Sequence, residues 1–220
     1  MQLFSVDLSI KMKKFFIISL IGVIMLFSAG VNITDALMVA LSTNKLTKGA
    51  QLVIRGKVEK KESLWSTNKE AIVTHVFVNI SDVLKGTIEE EQVLVEIDGG
   101  EVGDLGLKVS DTPEFKVGEE VILFLTPGAS RVSGTINKIV GSGQGKYSIG
   151  VDGIARKDGF SVVSPKFLKG RDEFVTKDDV DSIMDKVISV DKLTKKIKKI
   201  VEEDSGDGHI HMFMYGEEGE

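Results

Sequence analysis

No cysteine occurs anywhere in this chain. Its absence excludes a disulfide-stapled secreted scaffold, a cysteine-held zinc site and a lipid-modified cysteine behind a signal segment. Stability must then come from an ordinary hydrophobic core, and 220 residues at 42% hydrophobic content can build one in a single modest domain with appendages. An excess of basic charge is missing too. The formal charge is −5, and the lysines are scattered or gathered in one C-terminal stretch rather than interleaved with aromatics, so nucleic acid is not an expected partner. Neither G-x-S-x-G nor H-E-x-x-H occurs. The 3 histidines are His75, in a β-rich run, and His209 and His211 near the end.

What is present begins with an address. From Lys11 the chain reads KMKKFFIISLIGVIMLFSAG: a short basic run, an apolar segment from Phe15 to Phe27, then small residues at Ser28, Ala29 and Gly30. That is the layout of a secretory signal, with Met12 as an alternative start. The apolar segment is shorter than the roughly 20 residues of a spanning helix, although continuation through Val31 and Ile33 keeps an uncleaved anchor open. Residues 1–30 are read as a signal peptide or N-terminal anchor, and the location as extracytoplasmic: secreted, periplasmic or membrane-anchored. Cleavage after Gly30 removes Lys11, Lys13 and Lys14 against Asp7 and leaves a mildly acidic domain.

Leu37, Met38, Leu41 and Leu46 recur at near-helical spacing, with Thr34 or Asp35 as cap, and predict a lead-in helix over 31–49. From Ala50 the period changes to two. QLVIRGKVEKKESLW alternates through Leu52, Ile54 and Val58, with Gly56 marking a bulge or a close backbone approach. AIVTHVFVNISDVLKG follows, with Ile72, Thr74, Val76, Val78 and Ile80 on one parity and Val73, His75, Phe77 and Asn79 on the other. The polar STNKE between the two runs makes them a hairpin. EQVLVEI is a third strand. EEVILFLTPG, apolar on both faces, is a fourth and reads as central and buried; GTINKIVGS and KYSIGVDG supply a fifth and a sixth. Strands at short spacing with glycine-rich turns predict a mainly β protein, a small antiparallel barrel of the OB type over 50–160, with a sandwich or eight-stranded topology as second choice.

Residues 161–204 are read as a connector and an amphipathic helix. Thr176 is the expected N-cap, and Val180, Ile183, Met184, Val187, Leu193, Ile197, Ile200 and Val201 form the apolar stripe. Residues 205–220 form an acidic, glycine-rich tail.

Two glycine clusters invite a ligand. GGEVGDLG, residues 99–106, fails as a phosphate loop because Gly106 is followed by Leu107-Lys108-Val109 and no helical period. GSGQGKYSIG opens into a strand. Both read as structural turns at positive φ, with ligand contact by Gly99, Gly100, Glu101, Asp104 and the single tryptophan, Trp65, as the competing reading.

RGKV, VLKG, GGEVGDLGLKVSDTPEFKVGEEVILFL and GSGQGKY, together spanning about residues 50–150, resemble an uncharacterised family of exported prokaryotic β-domains. More distantly, the order is similar to the start of netrin-like modules, including the tissue inhibitors of metalloproteases. That resemblance implies an OB barrel; the inhibitors' zinc-chelating N-terminal cysteine has no counterpart here, so their mechanism does not carry over.

No catalytic residue is assigned. Glu101, Asp104 and Asp111 share one loop and would serve acid–base chemistry or calcium, though solvated loop acids are the commoner case. His209 and His211 on an extended tail would face one side and supply half a zinc or copper shell. The lysines from Lys192 to Lys199 offer a weak membrane face beside a solvated one. No cofactor is expected. The leading expectation is an exported, noncatalytic domain that binds a protein partner in the cell envelope; the alternatives are a metal- or carboxylate-dependent hydrolase and a membrane-tethered structural protein.

Overall fold

The period of two that begins at Ala50 is realised as strands. A computed structural model describes residues 41–158 and 185–214, with the side chains of the last helix described as far as Ser205. In chain order the elements are α1 (Thr43–Gly49), β1 (Leu52–Trp65), β2 (Ile72–Lys85), β3 (Gln92–Asp98), β4 (Gly100–Val102), β5 (Leu105–Leu107), β6 (Glu120–Ala129), β7 (Thr135–Ile139), β8 (Lys146–Ile149), β9 (Ile154–Lys157), β10 (Val187–Ser189) and α2 (Val190–Met214). β1 pairs with β2, β2 with β3, β3 with β7, β7 with β6, and β6 returns to β1. The ring of five strands is a small barrel, and its order is that of an OB fold. All its pairings are antiparallel except β3 with β7, which is parallel at Val95 and Asn137.

Side-chain alternation on β6 builds two cores. Val121, Leu123 and Leu125 point into the barrel with Leu52, Ile54, Val58, Val76, Val78, Val93 and Val95, and Phe115 completes this interior. Ile122 and Phe124 point the other way, where they meet Leu46 of α1, Tyr147 of β8, Ala155 of β9 and Leu193 and Ile197 of α2. A strand apolar on both faces is the required solution for a layer covered on both sides. The ribbon β8–β9–β10 extends the sheet from β6, and α2 packs Val190, Leu193, Ile197 and Ile200 at the helical period against the outer core.

Gly56 is placed as its neighbours require. A Cβ there would lie 2.4 Å from the Asn79 carbonyl oxygen, and the β1–β2 register shifts between Arg55 and Gly56. Lys146 is fully buried. Its Nζ donates to the Glu114 carbonyl (2.7 Å), Glu119 Oε1 (3.0 Å), Ser148 Oγ (2.9 Å) and Asp158 Oδ2, and it lies 4.7 Å from the centre of the Phe115 ring. Burial pushes the Glu119 carboxyl up, but hydrogen bonds from Ser148, the Lys116 N–H and Lys146, together with the Lys146 charge, reverse this and hold it below the usual range.

Three expectations are corrected. Leu41, expected within the lead-in helix, lies before the described helix: Ser42 is the N-cap of Thr43–Gly49, accepting from the Lys45 N–H. Val187 belongs to β10 rather than to the helical stripe. The β-branched Val187 and Ile188 meet a free edge of β9, and pairing there prevails over helix extension. The tail's His209 and His211 lie within α2, whose backbone runs to Met214, so the period-two argument that put both on one side of a strand does not hold. The segment 1–30, the caps Thr34 and Asp35, Leu37, Met38, Thr176, Val180, Ile183 and Met184 lie outside the described residues. Among the described residues no helix is long and apolar enough to cross a membrane.

Candidate functional site

Two polar loops meet at one end of the barrel. Residues 66–71 join β1 to β2 in a tight turn: the Ser66 N–H donates to the Ala71 carbonyl (2.8 Å) and the Lys69 N–H to the Ser66 carbonyl (2.8 Å), with Lys69 at φ 58°. Residues 130–134 join β6 to β7, closed by the Ser130 N–H on the Gly134 carbonyl (3.0 Å). The loops are tied together where the Thr67 N–H donates to the Arg131 carbonyl (3.0 Å) and Thr67 Oγ1 to the Val132 carbonyl (2.5 Å). Between them is a cleft of about 450 Å³ lined by Ser66, Thr67, Asn68, Glu70, Ala71 and Arg131.

A buried acid anchors the second loop. Glu96 of β3 has a side chain only 1% exposed, and its carboxylate accepts from Ser130 Oγ (2.6 Å), the Arg131 N–H (3.1 Å) and His75 Nε2 (3.1 Å), with Lys138 Nζ 3.9 Å away. Burial alone raises its proton affinity. The hydrogen bonds from Ser130, Arg131 and His75 and the Lys138 charge outweigh that, so the carboxyl is held below the usual range. An ionised acid with every strong donor already in place is an architectural staple rather than a general base. Beside it, Arg131 Nε lies 3.3 Å from Asp98 Oδ1.

Of the residues singled out from sequence, Trp65, Gly99 and Gly100 lie at the same barrel end, whereas His209 and His211 lie on α2. Trp65 closes β1, 37% exposed, directly before the cleft loop and opposite Ile72. Gly99, at φ 92°, donates its N–H to the Ile72 carbonyl (2.8 Å), and its own carbonyl accepts from Thr74 Oγ1 (2.7 Å). Gly100 roots the β4–β5 hairpin against the β1–β2 ladder: a Cβ there would lie 2.4 Å from Ser63 Oγ and 2.3 Å from Thr74 Oγ1. Glu101 and Asp104 are exposed on the hairpin, and no group of three His, Cys, Asp or Glu suited to a metal occurs among the described residues. None of these predicted residues lines the cleft. Sequence reasoning took the polar stretch 66–70 as a turn and missed Glu96 and Arg131. The signal for Glu96 was a lone acid in the apolar run VLVEI, on the parity of Leu94 rather than that of Val93 and Val95.

The sequence motifs themselves do structural work. Arg55 of RGKV bonds Glu120 (2.7 Å), Lys85 of VLKG donates to the Thr47 carbonyl (2.7 Å), Gln144 Oε1 accepts from the Leu41 N–H (2.7 Å), and Tyr147 is buried beside Thr43. No family model matches the sequence, and no curated protein matches it.

Proposed function

We propose that this chain is an exported, noncatalytic binding domain of the cell envelope whose recognition surface is the barrel end formed by 66–71 and 130–134. The observation that carries this reading is the cleft between those loops, held open by a buried carboxylate and cross-bonded before any ligand arrives. Pre-formed concave sites with a few fixed polar groups are what binding domains present, and the loops between the first two and the last two strands of an OB barrel are where that fold recognises ligands. The signal-like N-terminus supports an extracytoplasmic location. A protein partner accords with Trp65, Leu105 and Leu107, exposed apolar side chains on strands that reach this end of the barrel. The resemblance to exported β-domains points the same way.

Affinity capture from the envelope fraction of the native host, with the full-length chain in neutral detergent as bait, tests the proposal. A saturable partner competed by untagged protein and lost when residues 66–71 are replaced by Gly-Ser is the expected result. Failure to retain any specific partner, or retention indifferent to that replacement, would refute the assignment of the surface.

A further inference from the structure

Polar groups lining the cleft are unevenly engaged. Ser66 Oγ donates to Asn68 Oδ1 (2.7 Å) and accepts from the Ala71 N–H (3.0 Å), Thr67 Oγ1 donates to the Val132 carbonyl, and Asn68 Nδ2 donates to Glu70 Oε2 (2.5 Å). All of these serve the loops themselves. Arg131 differs. Its N–H is held by Glu96 and its carbonyl by the Thr67 N–H, while its side chain, with Nε 3.3 Å from Asp98 Oδ1, is 50% exposed. It is the only cation among the residues lining the cleft.

With Asp98 beside the Nε edge at 3.3 Å, the two terminal nitrogens of the guanidinium are the end left for a ligand. Their parallel N–H groups match the two oxygens of a carboxylate. Glu70, on the opposite loop, keeps Oε1 as an acceptor. A multiply charged phosphate would face Glu70 and Asp98 with only one lining cation to offset it; a carboxylate with a neighbouring N–H donor matches both poles.

We infer that the cleft takes an aspartate or glutamate side chain of a polypeptide partner, its carboxylate on Arg131 and its adjoining backbone N–H on Glu70, with Asp98 as the positioning residue. This rests on the binding function proposed above and narrows it.

The test uses the full-length chain in neutral detergent with ¹⁵N-labelled arginine side chains, which are Arg55, Arg131, Arg156 and Arg171. The probes are an acetylated, amidated Gly-Asp-Gly-Asp-Gly peptide, the same peptide with Asn for Asp, and sodium acetate. The acidic peptide should move the Arg131 Nε–H signal and leave Arg156 in place, the Asn peptide should move neither, and R131Q should weaken binding at least tenfold. R131Q keeps the backbone N–H that Glu96 holds, so its melting curve should match that of the parent chain. D98N should weaken peptide binding several-fold while the Arg131 signal still responds at higher peptide. Equal response to the Asn peptide, or equal binding by R131Q, overturns the inference. Acetate acting as strongly as the peptide overturns the polypeptide source. Envelope capture separates the two levels: a partner held equally by R131Q leaves the binding domain standing and removes the carboxylate, whereas no partner for either chain removes the binding reading.

Discussion

Lys146 and Glu96 show how single charged residues are used inside this fold. A lysine without any solvent contact is tolerated only because two carboxylates, a carbonyl and a hydroxyl surround its ammonium. Lys146→Met would leave Glu119 and Asp158 facing one another across the lost cation, and a loss of about 3 kcal/mol is expected by urea denaturation. Glu96 acts through its neighbours instead. In Glu96→Ala the Ser130 hydroxyl and the Arg131 N–H lose their acceptor, for an expected cost of about 2–3 kcal/mol. Hydrogen exchange locates that cost: amides of 130–134 should lose protection while those of β6 keep theirs.

At the scale of elements, the β4–β5 hairpin separates glycines required by contact from those required by conformation alone. Gly100 and Gly103 both have positive φ, but only Gly100 abuts other side chains. Gly103→Ala should cost about 1–2 kcal/mol of left-handed strain. Gly100→Ala must also displace Ser63 and Thr74, so its Tm should fall clearly further than that of Gly103→Ala; equal shifts would mean the hairpin does not rest on the ladder. Much of this architecture was legible in the sequence. The parity of Ile72 to Ile80, the doubly apolar β6 and the bulge at Gly56 each follow from side-chain alternation, which acts locally. The site was less legible, because Arg131 and Ser66 lie far apart in the chain and meet only through barrel closure. β10 was misread as helix for a related reason: its partner β9 is supplied by tertiary structure, and periodicity over a few residues cannot reveal it.

For the whole molecule, acid should loosen the 66–71 and 130–134 loop end before it melts the barrel. The folded Glu96 carboxyl titrates below its unfolded value, so its stabilising contribution is complete at neutral pH and is lost as pH falls through the folded value. The groups facing it are His75, Lys138 and, through its N–H, Arg131. Trp65, the single tryptophan, borders the first loop and gives an optical signal. Its emission should change at a higher pH than the far-ultraviolet circular dichroism; coincident transitions would show that the loop and the barrel do not uncouple.

The seam between β1 and β6 has a further consequence, for the order of events during synthesis. It joins Leu52 to Leu125, with the whole β2–β3 meander and the small hairpin between them. A ribosome delivers β1 and β2 early, and they can form a hairpin at once, but the interior stays open until β6 emerges to zip the ring. Loop-closure entropy makes such long-range pairing the slow step. Nascent chains stalled before residue 120 would therefore display Leu52, Ile54 and Val58 on an unpaired edge, where a holdase would find them.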